Sequence, residues 1–255
     1  MRRNSKSATK RDGTRALHHP RYPFAVVDAV LLDAGGVLVL PRHELLIEHA
    51  LGMMDVVPDA EALDRAHYEG AHTLSVWPSD EESIYARWNR GYLESIGAEV
   101  TDENLVALRS AFRRLDMWTR PAPGVSEGLS ALRALGVKMA VVSNADGHVE
   151  RILREIGVCQ VGPGDGVEVD AVIDSTLVGF AKPDPRIFKI ALERLGVDPG
   201  GAVHVGDIVG ADVVGAQSAG IRPLHFDPHR FCQAVDHEHV ATLLEVADLL
   251  SASAA

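Results

Sequence analysis

Four short segments of the chain hold residue types that could do chemistry together. In "AVLLDAGGVLVL" an apolar run ends in Asp33, followed by Ala34, Gly35 and Gly36. The run "VKMAVVS" ends in Ser143, with Asn144 next, and "GFAKPDP" carries Lys182. The fourth segment, "VHVGDIVGAD", supplies Asp207 and Asp212. This set suits phosphoryl transfer. Asp33 can attack phosphorus as a carboxylate nucleophile and form an acyl-phosphate. Asp33 and Asp207 can hold Mg²⁺, a hard cation that prefers oxygen ligands. Lys182 would offset charge on the phosphoryl oxygens, and Ser143 would donate a hydrogen bond to them. Gly35 and Gly36 would let the backbone approach the phosphate closely, with free amides aimed at it.

Such residues can meet only if the fold brings four distant segments to one edge. The sequence pattern predicts this. From residue 124 onward helix and strand alternate: helices over 124–135, 148–156, 185–195, 210–219 and 240–250, and strands over 137–143, 170–175, 202–206 and 221–226. With the first strand at 29–33, this alternation predicts a doubly wound, Rossmann-like α/β core around a parallel sheet. Ligands bind beyond the carboxyl ends of the strands in such sheets, and each of the four segments lies at or just after a predicted strand end. Residues 42–118 have a different texture. Leu45, Leu46, His49 and Ala50, then Ile84, Trp88, Tyr92 and Leu93, then Leu105, Leu108, Phe112 and Leu115 recur at helical spacing. Ser79 to Glu82 fits a capping box. The domain reading is therefore a basic arm (1–25), a core (26–41 and 119–255) and an inserted helical cap (42–118).

Bulk properties narrow the class. The 255 residues are 46% hydrophobic and 24% charged, as in ordinary globular proteins. No apolar stretch approaches the ~20 residues needed to span a bilayer, and the N-terminal region lacks the apolar segment of a secretory signal. Two cysteines, Cys159 and Cys232, make no disulfide framework, so a cytoplasmic protein with reduced thiols is expected. Seven of the basic residues fall within 1–25, so the rest of the chain is more acidic than the net charge of −11 implies. An acidic body argues against nucleic acid as the partner, and the arm reads as a disordered tail.

Taken in order, the four segments resemble the motifs of the haloacid dehalogenase superfamily of hydrolases, over roughly residues 26–230. The first motif is similar to Asp33-Ala34-Gly35-Gly36-Val37, the second to Ser143, the third to Lys182-Pro183, and the fourth to Gly206-Asp207 with Asp212. The inserted helices resemble the family's α-helical cap. The resemblance implies an Mg²⁺-dependent phosphatase of a small phosphorylated metabolite. In that reading Asp33, Ser143 and Lys182 are catalytic, and Gly36, Ser143, Asn144 and Lys182 bind substrate. Asp33, the Gly35 carbonyl and Asp207 hold the metal. Asp212 orients the metal's water shell or Lys182.

One departure stands out. Most phosphatases of the family place a second aspartate where this chain has Gly35, and that side chain protonates the leaving oxygen. Such help is worth ~10²–10⁴-fold. The chain most resembles the family's phosphatases with Asp-x-Gly in the first motif. His43 or Glu44, near in sequence, is a candidate for the missing proton donor, and His43 has a reference pKa suited to the task. A sugar-1-phosphate or acyl phosphate would need less help. The gap also leaves open a carbon–halogen hydrolase or a weakened, phosphate-binding relative. Residues 36–120 contain no lysine, which argues against the Schiff-base chemistry of phosphonate-cleaving members. Trp77, Trp88 and Trp118 are expected in the core of the helical insertion. "GPGDG" at 162–166 reads as a flexible turn. His225, His229, Cys232, His237 and His239 match no zinc spacing and are expected to be ordinary surface side chains.

Overall fold

The structure is a computed structural model that describes residues 27–75 and 81–253. The basic arm, Trp77 and the Ser79 start of the expected capping box lie outside the described residues.

In chain order, β1 (Ala29–Leu32) is followed by β2 (Val39–Leu40) and four helices: α1 (His43–His49), α2 (Ala60–His72), α3 (Glu81–Ser95) and α4 (Asp102–Phe112). Next come β3 (Arg120–Pro121), α5 (Val125–Ala134), β4 (Lys138–Ser143), α6 (Val149–Glu155), β5 (Cys159–Val161) and β6 (Val167–Val169). The chain ends with β7 (Ala171–Asp174), α7 (Ser175–Val178), α8 (Pro185–Leu195), β8 (Ala202–Gly206), α9 (Val214–Ser218), β9 (Arg222–Phe226), β10 (Glu238–Val240) and α10 (Leu243–Ser253).

Six strands form one parallel sheet in the order β10-β9-β8-β1-β4-β7. β1 sits between β4 and β8, so the order reverses direction beside it, and a ligand site is expected where the order reverses. Side chains along a strand alternate between faces. On β1, Val30 and Leu32 join the core under α5 and α10, whereas Ala29 and Leu31 join the opposite core under α8. Both layers are apolar, which is why these strands read as continuous hydrophobic runs.

The helices α1–α4 leave and return through one stem. β2 and β3 pair antiparallel, Val39 with Pro121 and Leu40 with Arg120. The helices share their own core of Leu46, Leu63, Tyr92, Leu93, Leu108 and Met117, against which Trp88 and Trp118 pack. Asp59 caps α2 by accepting from the Ala62 amide at 2.8 Å, and Thr101 caps α4 through the Asn104 amide at 3.1 Å.

Three local expectations are corrected. The segment 159–169 is two paired strands, β5 and β6, with the glycine-rich turn between them held by the Gln160 side chain, which bonds Gly162 and Gly166. The helix expected from residue 210 opens as a π turn over Val209–Val213 before α9. The last helix starts at Leu243 rather than 240. Thr242 Oγ accepts from the Glu245 amide, and Glu245 accepts from the Ala241 amide, so this Thr-x-x-Glu cap sets the start. The residues before it form the edge strand β10. Among the described residues, no helix is long and apolar enough to cross a membrane.

Candidate active site

Asp33 is the first residue past β1, and its amide donates to the Val205 carbonyl at 2.9 Å. Leu32 is level with Val141 on one side and Val205 on the other. Ser143 and Asp207 therefore end the two neighbouring strands one residue beyond Asp33. All are buried. Lys182 enters from the loop after α7. Its Nζ donates to Asp33 Oδ1 at 2.8 Å and to Asp212 Oδ1 at 2.7 Å. His204 Nε2 also donates to Asp212 Oδ1, at 2.9 Å, and the Ile208 amide donates to Oδ2 at 3.0 Å. Both oxygens of Asp212 are thus taken, and its task is to hold Lys182.

Charge explains the arrangement. Burial pushes Asp33 up to about 7. Lys182 opposes that rise, while Asp212 and Asp207 add to it. For Lys182, burial favours the neutral amine, but the Asp212 and Asp33 carboxylates more than offset it and raise its pKa. Burial would also raise Asp212, yet Lys182 and the His204 bond hold it well below the usual carboxylate range. Burial lowers His204, so the neutral ring donates to Asp212. Three buried carboxylates therefore share the site with one ammonium, which bonds two of them.

This donor set fits a divalent cation. Asp33, Asp207 and Asp212 each bring a carboxylate oxygen within 4.8 Å of the others. With both Asp212 oxygens taken, Asp33 and Asp207 are the two of these carboxylates with only one oxygen hydrogen-bonded, Asp33 Oδ1 and Asp207 Oδ2. Carboxylate oxygens suit a hard ion such as Mg²⁺, and a cation there would offset the excess negative charge.

Several expected roles change. Asn144 is not free for substrate: its amide nitrogen donates to the Lys182 carbonyl at 2.9 Å, and its oxygen accepts from the Lys182 amide at 2.7 Å. It positions Lys182. The Gly36 amide is not free either, because it donates to the Val39 carbonyl at 2.9 Å. The need for glycine at 36 has another origin. Its φ is +75°, and a Cβ there would lie 2.2 Å from Asp207 Oδ2. At Gly35 a Cβ would meet only the Trp118 ring, at an ordinary 3.6 Å. Gly36→Ala is therefore expected to cost about 2 kcal/mol or more, and Gly35→Ala less than about 1 kcal/mol. Urea unfolding of both variants checks the contrast; equal costs would contradict it.

His43 does not reach Asp33 through any contact in the structure. Its Nε2 bonds Asp64 at 2.8 Å, and Arg120 bonds the same carboxylate. A different histidine from the helical insertion reaches the site. His67, on α2, donates from Nε2 to Asp207 Oδ2 at 2.9 Å. Its ring is buried among Tyr68, Trp88 and Trp118, with centroids 4.9, 5.5 and 5.7 Å away. Tyr68 donates to the Gly36 carbonyl at 2.7 Å. Nothing in the spacing of "DRAHYEG" marks His67 or Tyr68, because their position depends on how α2 packs over the sheet edge. The C-terminal histidines also depart from expectation. His225 is buried, its Nε2 donating to the Asp207 carbonyl at 3.2 Å, and His237 is almost fully enclosed.

Known proteins share the family pattern and the fold. A family model, "haloacid dehalogenase-like hydrolase", matches residues 27–220. The mouse "Haloacid dehalogenase-like hydrolase domain-containing protein 3" is 37% identical over 146 residues, covering 51% of this chain and 53% of that protein. The "Glyceraldehyde 3-phosphate phosphatase" of Methanothermobacter thermautotrophicus is 35% identical over 104 residues, covering 40% of this chain and 42% of that protein. These alignments span about half the length of the curated relatives or less. The HAD-hydrolase YfnB of Bacillus subtilis, crystallised with magnesium, superposes with a TM-score of 0.59 at 16% identity over 89% of this chain and 99% of that one, a likeness of fold.

Proposed function

The chain belongs to the haloacid dehalogenase-like hydrolases, and on that premise we propose that it is an Mg²⁺-dependent phosphatase of a small phosphorylated metabolite. The observation that carries this reading is the buried Lys182 held between Asp33 and Asp212, at 2.8 and 2.7 Å, with Asp207 on the adjacent strand end. The glyceraldehyde 3-phosphate phosphatase relative supports a phosphoryl substrate.

In this reading Asp33 attacks phosphorus. Lys182 and the Ala34 amide, the latter at 2.7 Å, both donate to its Oδ1. Those bonds fix the carboxylate and leave Oδ2 as the attacking atom. The P–O bond to the leaving group breaks as the aspartyl-phosphate forms. Water then attacks phosphorus, returning free Asp33 and phosphate. Lys182 offsets charge on the transferring oxygens, and Ser143 donates to one of them. Asp33, the Gly35 carbonyl and Asp207 would hold Mg²⁺, which would supply further charge neutralisation. The helical insertion excludes water when it closes over the site.

No carboxyl group is supplied at Gly35, so leaving groups that depart readily are favoured. The test is a panel of phosphorylated metabolites, with Mg²⁺ and with EDTA. Phosphate release that EDTA abolishes, faster for acyl and sugar-1-phosphates than for alkyl phosphates, is the expected result. Halide release from haloacids, unaffected by EDTA, would replace this reading with carbon–halogen hydrolysis. Phosphate binding without any turnover would replace it with a binding protein.

His67 is the polar link between α2 and Asp207, and we assign it to closing the insertion over the site. A hydrogen bond to a charged partner is worth about 1.5–3 kcal/mol. His67→Ala is accordingly expected to lower kcat/KM roughly 10–100-fold, mostly through KM, with the melting temperature showing that the fold persists. Wild-type kinetics would sink that assignment.

A further inference from the structure

We propose that His225, Cys232, His237 and His239 form a second metal site, separate from the carboxylates, built for a single zinc ion at the β9–β10 edge of the sheet. Each of the four offers a ligand atom, and these atoms all lie within 4.8 Å of one another. The fold makes this meeting. His225 and His239 are register partners on the parallel strands β9 and β10. His237 lies just before β10, and its ring stacks on that of His239 with centroids 4.6 Å apart. Cys232 comes from the intervening loop. There the Asp227 carboxylate accepts from the Phe231 and Cys232 amides at 3.0 and 2.9 Å.

Two of the six ligand–ligand edges match a metal tetrahedron. With Zn–N near 2.0–2.1 Å and Zn–S near 2.3 Å, tetrahedral edges are about 3.3–3.4 Å for N···N and about 3.5–3.6 Å for S···N. His225 Nδ1 lies 3.2 Å from His237 Nε2, and Cys232 Sγ lies 3.7 Å from the same nitrogen.

The tautomers point the same way. His225 Nε2 faces the Asp207 carbonyl at 3.2 Å, His237 Nδ1 the Asp236 carboxylate at 2.8 Å, and His239 Nε2 the Ala234 carbonyl at 3.0 Å. Each of these oxygens can only accept, so each ring places its N–H on the outer nitrogen. In the neutral rings, His225 Nδ1, His237 Nε2 and His239 Nδ1 are left as bare lone pairs. Two of these, 3.2 Å apart, face each other with no hydrogen between them. A cation turns that repulsion into coordination. Outer partners of this kind, carboxylate or backbone carbonyl, are what metal-bound imidazoles use to fix their orientation.

Three imidazoles and one thiolate suit zinc better than Mg²⁺, which prefers oxygen. Binding removes the Cys232 thiol proton to solvent, and the rings bind as neutral ligands. Four protein ligands complete the coordination, so the site is structural: it ties the 227–237 loop to the sheet edge. Through His225 it also braces the Asp207 carbonyl.

The test uses the full chain, stripped with a chelator and titrated with Zn²⁺ or Co²⁺ in excess Mg²⁺. One tightly held equivalent is expected, with Co²⁺ giving tetrahedral visible bands and a thiolate-to-cobalt charge-transfer band. Cys159→Ala should keep that band: Cys159 is buried in β5, and burial pushes its thiol up to about 12. Asp33→Asn should keep it too. Cys232→Ser should lose it, and Asp236→Asn should weaken zinc binding 10–100-fold. A wild-type chain that gives no thiolate–cobalt band overturns the proposal, as does a band that survives Cys232→Ser. Should Cys232→Ser fail to fold, the spectra of the wild type and Cys159→Ala decide the matter alone.

Discussion

Asp33→Asn is expected to abolish turnover while leaving the fold as stable as the wild type, or more so. The amide cannot attack phosphorus, and loss of a nucleophile costs on the order of 10⁴–10⁶-fold where the remaining site still binds substrate. The stability half follows from the electrostatics. Burial and two neighbouring carboxylates push Asp33 up to about 7, so its ionised form is disfavoured in the metal-free fold. The nearly isosteric neutral amide removes that cost. Lys182 loses one partner but keeps Asp212 at 2.7 Å. Function held at the expense of stability is common at active sites. Kinetics on the best substrate and urea unfolding without metal check the two halves. A melting point well below wild type, or turnover within tenfold of it, would contradict this account.

Lys182→Met should damage both properties. Methionine fills a similar volume but leaves Asp33 and Asp212 facing each other in a buried site. Removing one partner of a buried ion pair costs about 3–5 kcal/mol, because the remaining charge is left uncompensated. Turnover should fall at least on the order of 10³-fold, since the transferring oxygens lose their cation. Adding Asp33→Asn to Lys182→Met separates the two effects: stability should partly return and activity should not. Single-variant stability within about 1 kcal/mol of wild type would mean that Lys182 is not the centre of this charge cluster.

Much of the candidate constellation was legible because Asp33, Ser143 and Asp207 sit at strand ends, where local sequence reports position. An apolar run followed by Asp33, Ser143 or Gly206-Asp207 states both the strand and its terminal side chain. Lys182 was legible through its Lys-Pro context. What was not legible depends on tertiary packing. His67 reaches Asp207 only because α2 crosses the sheet edge, and Trp118 covers Gly35 only because the stem returns there. His43 looked closer because it is closer in sequence. Edge strands were equally hard to see. β10 is three residues long, "EHV", and carries too little pattern to register as a strand. Missing it hid the pairing of His225 with His239, so the histidines looked scattered. Asn144 was assigned to ligand because its bonds to Lys182 join loops 38 residues apart, a separation that spacing does not encode. Gly36 was assigned there as well, and its amide is taken up by a local turn to Val39.

In the proposed reaction Asp33 carries the phosphoryl group between substrate and water. This role is tested most directly by acid-quenching the enzyme during turnover of its best phosphorylated substrate in Mg²⁺ and mapping the modified peptide by mass spectrometry. A single phosphoryl group on Asp33, absent from Asp33→Asn and from EDTA-treated enzyme, is the result this account requires. Sustained phosphate release with Asp33 unmodified at every quench time, and undiminished in Asp33→Asn, would contradict it.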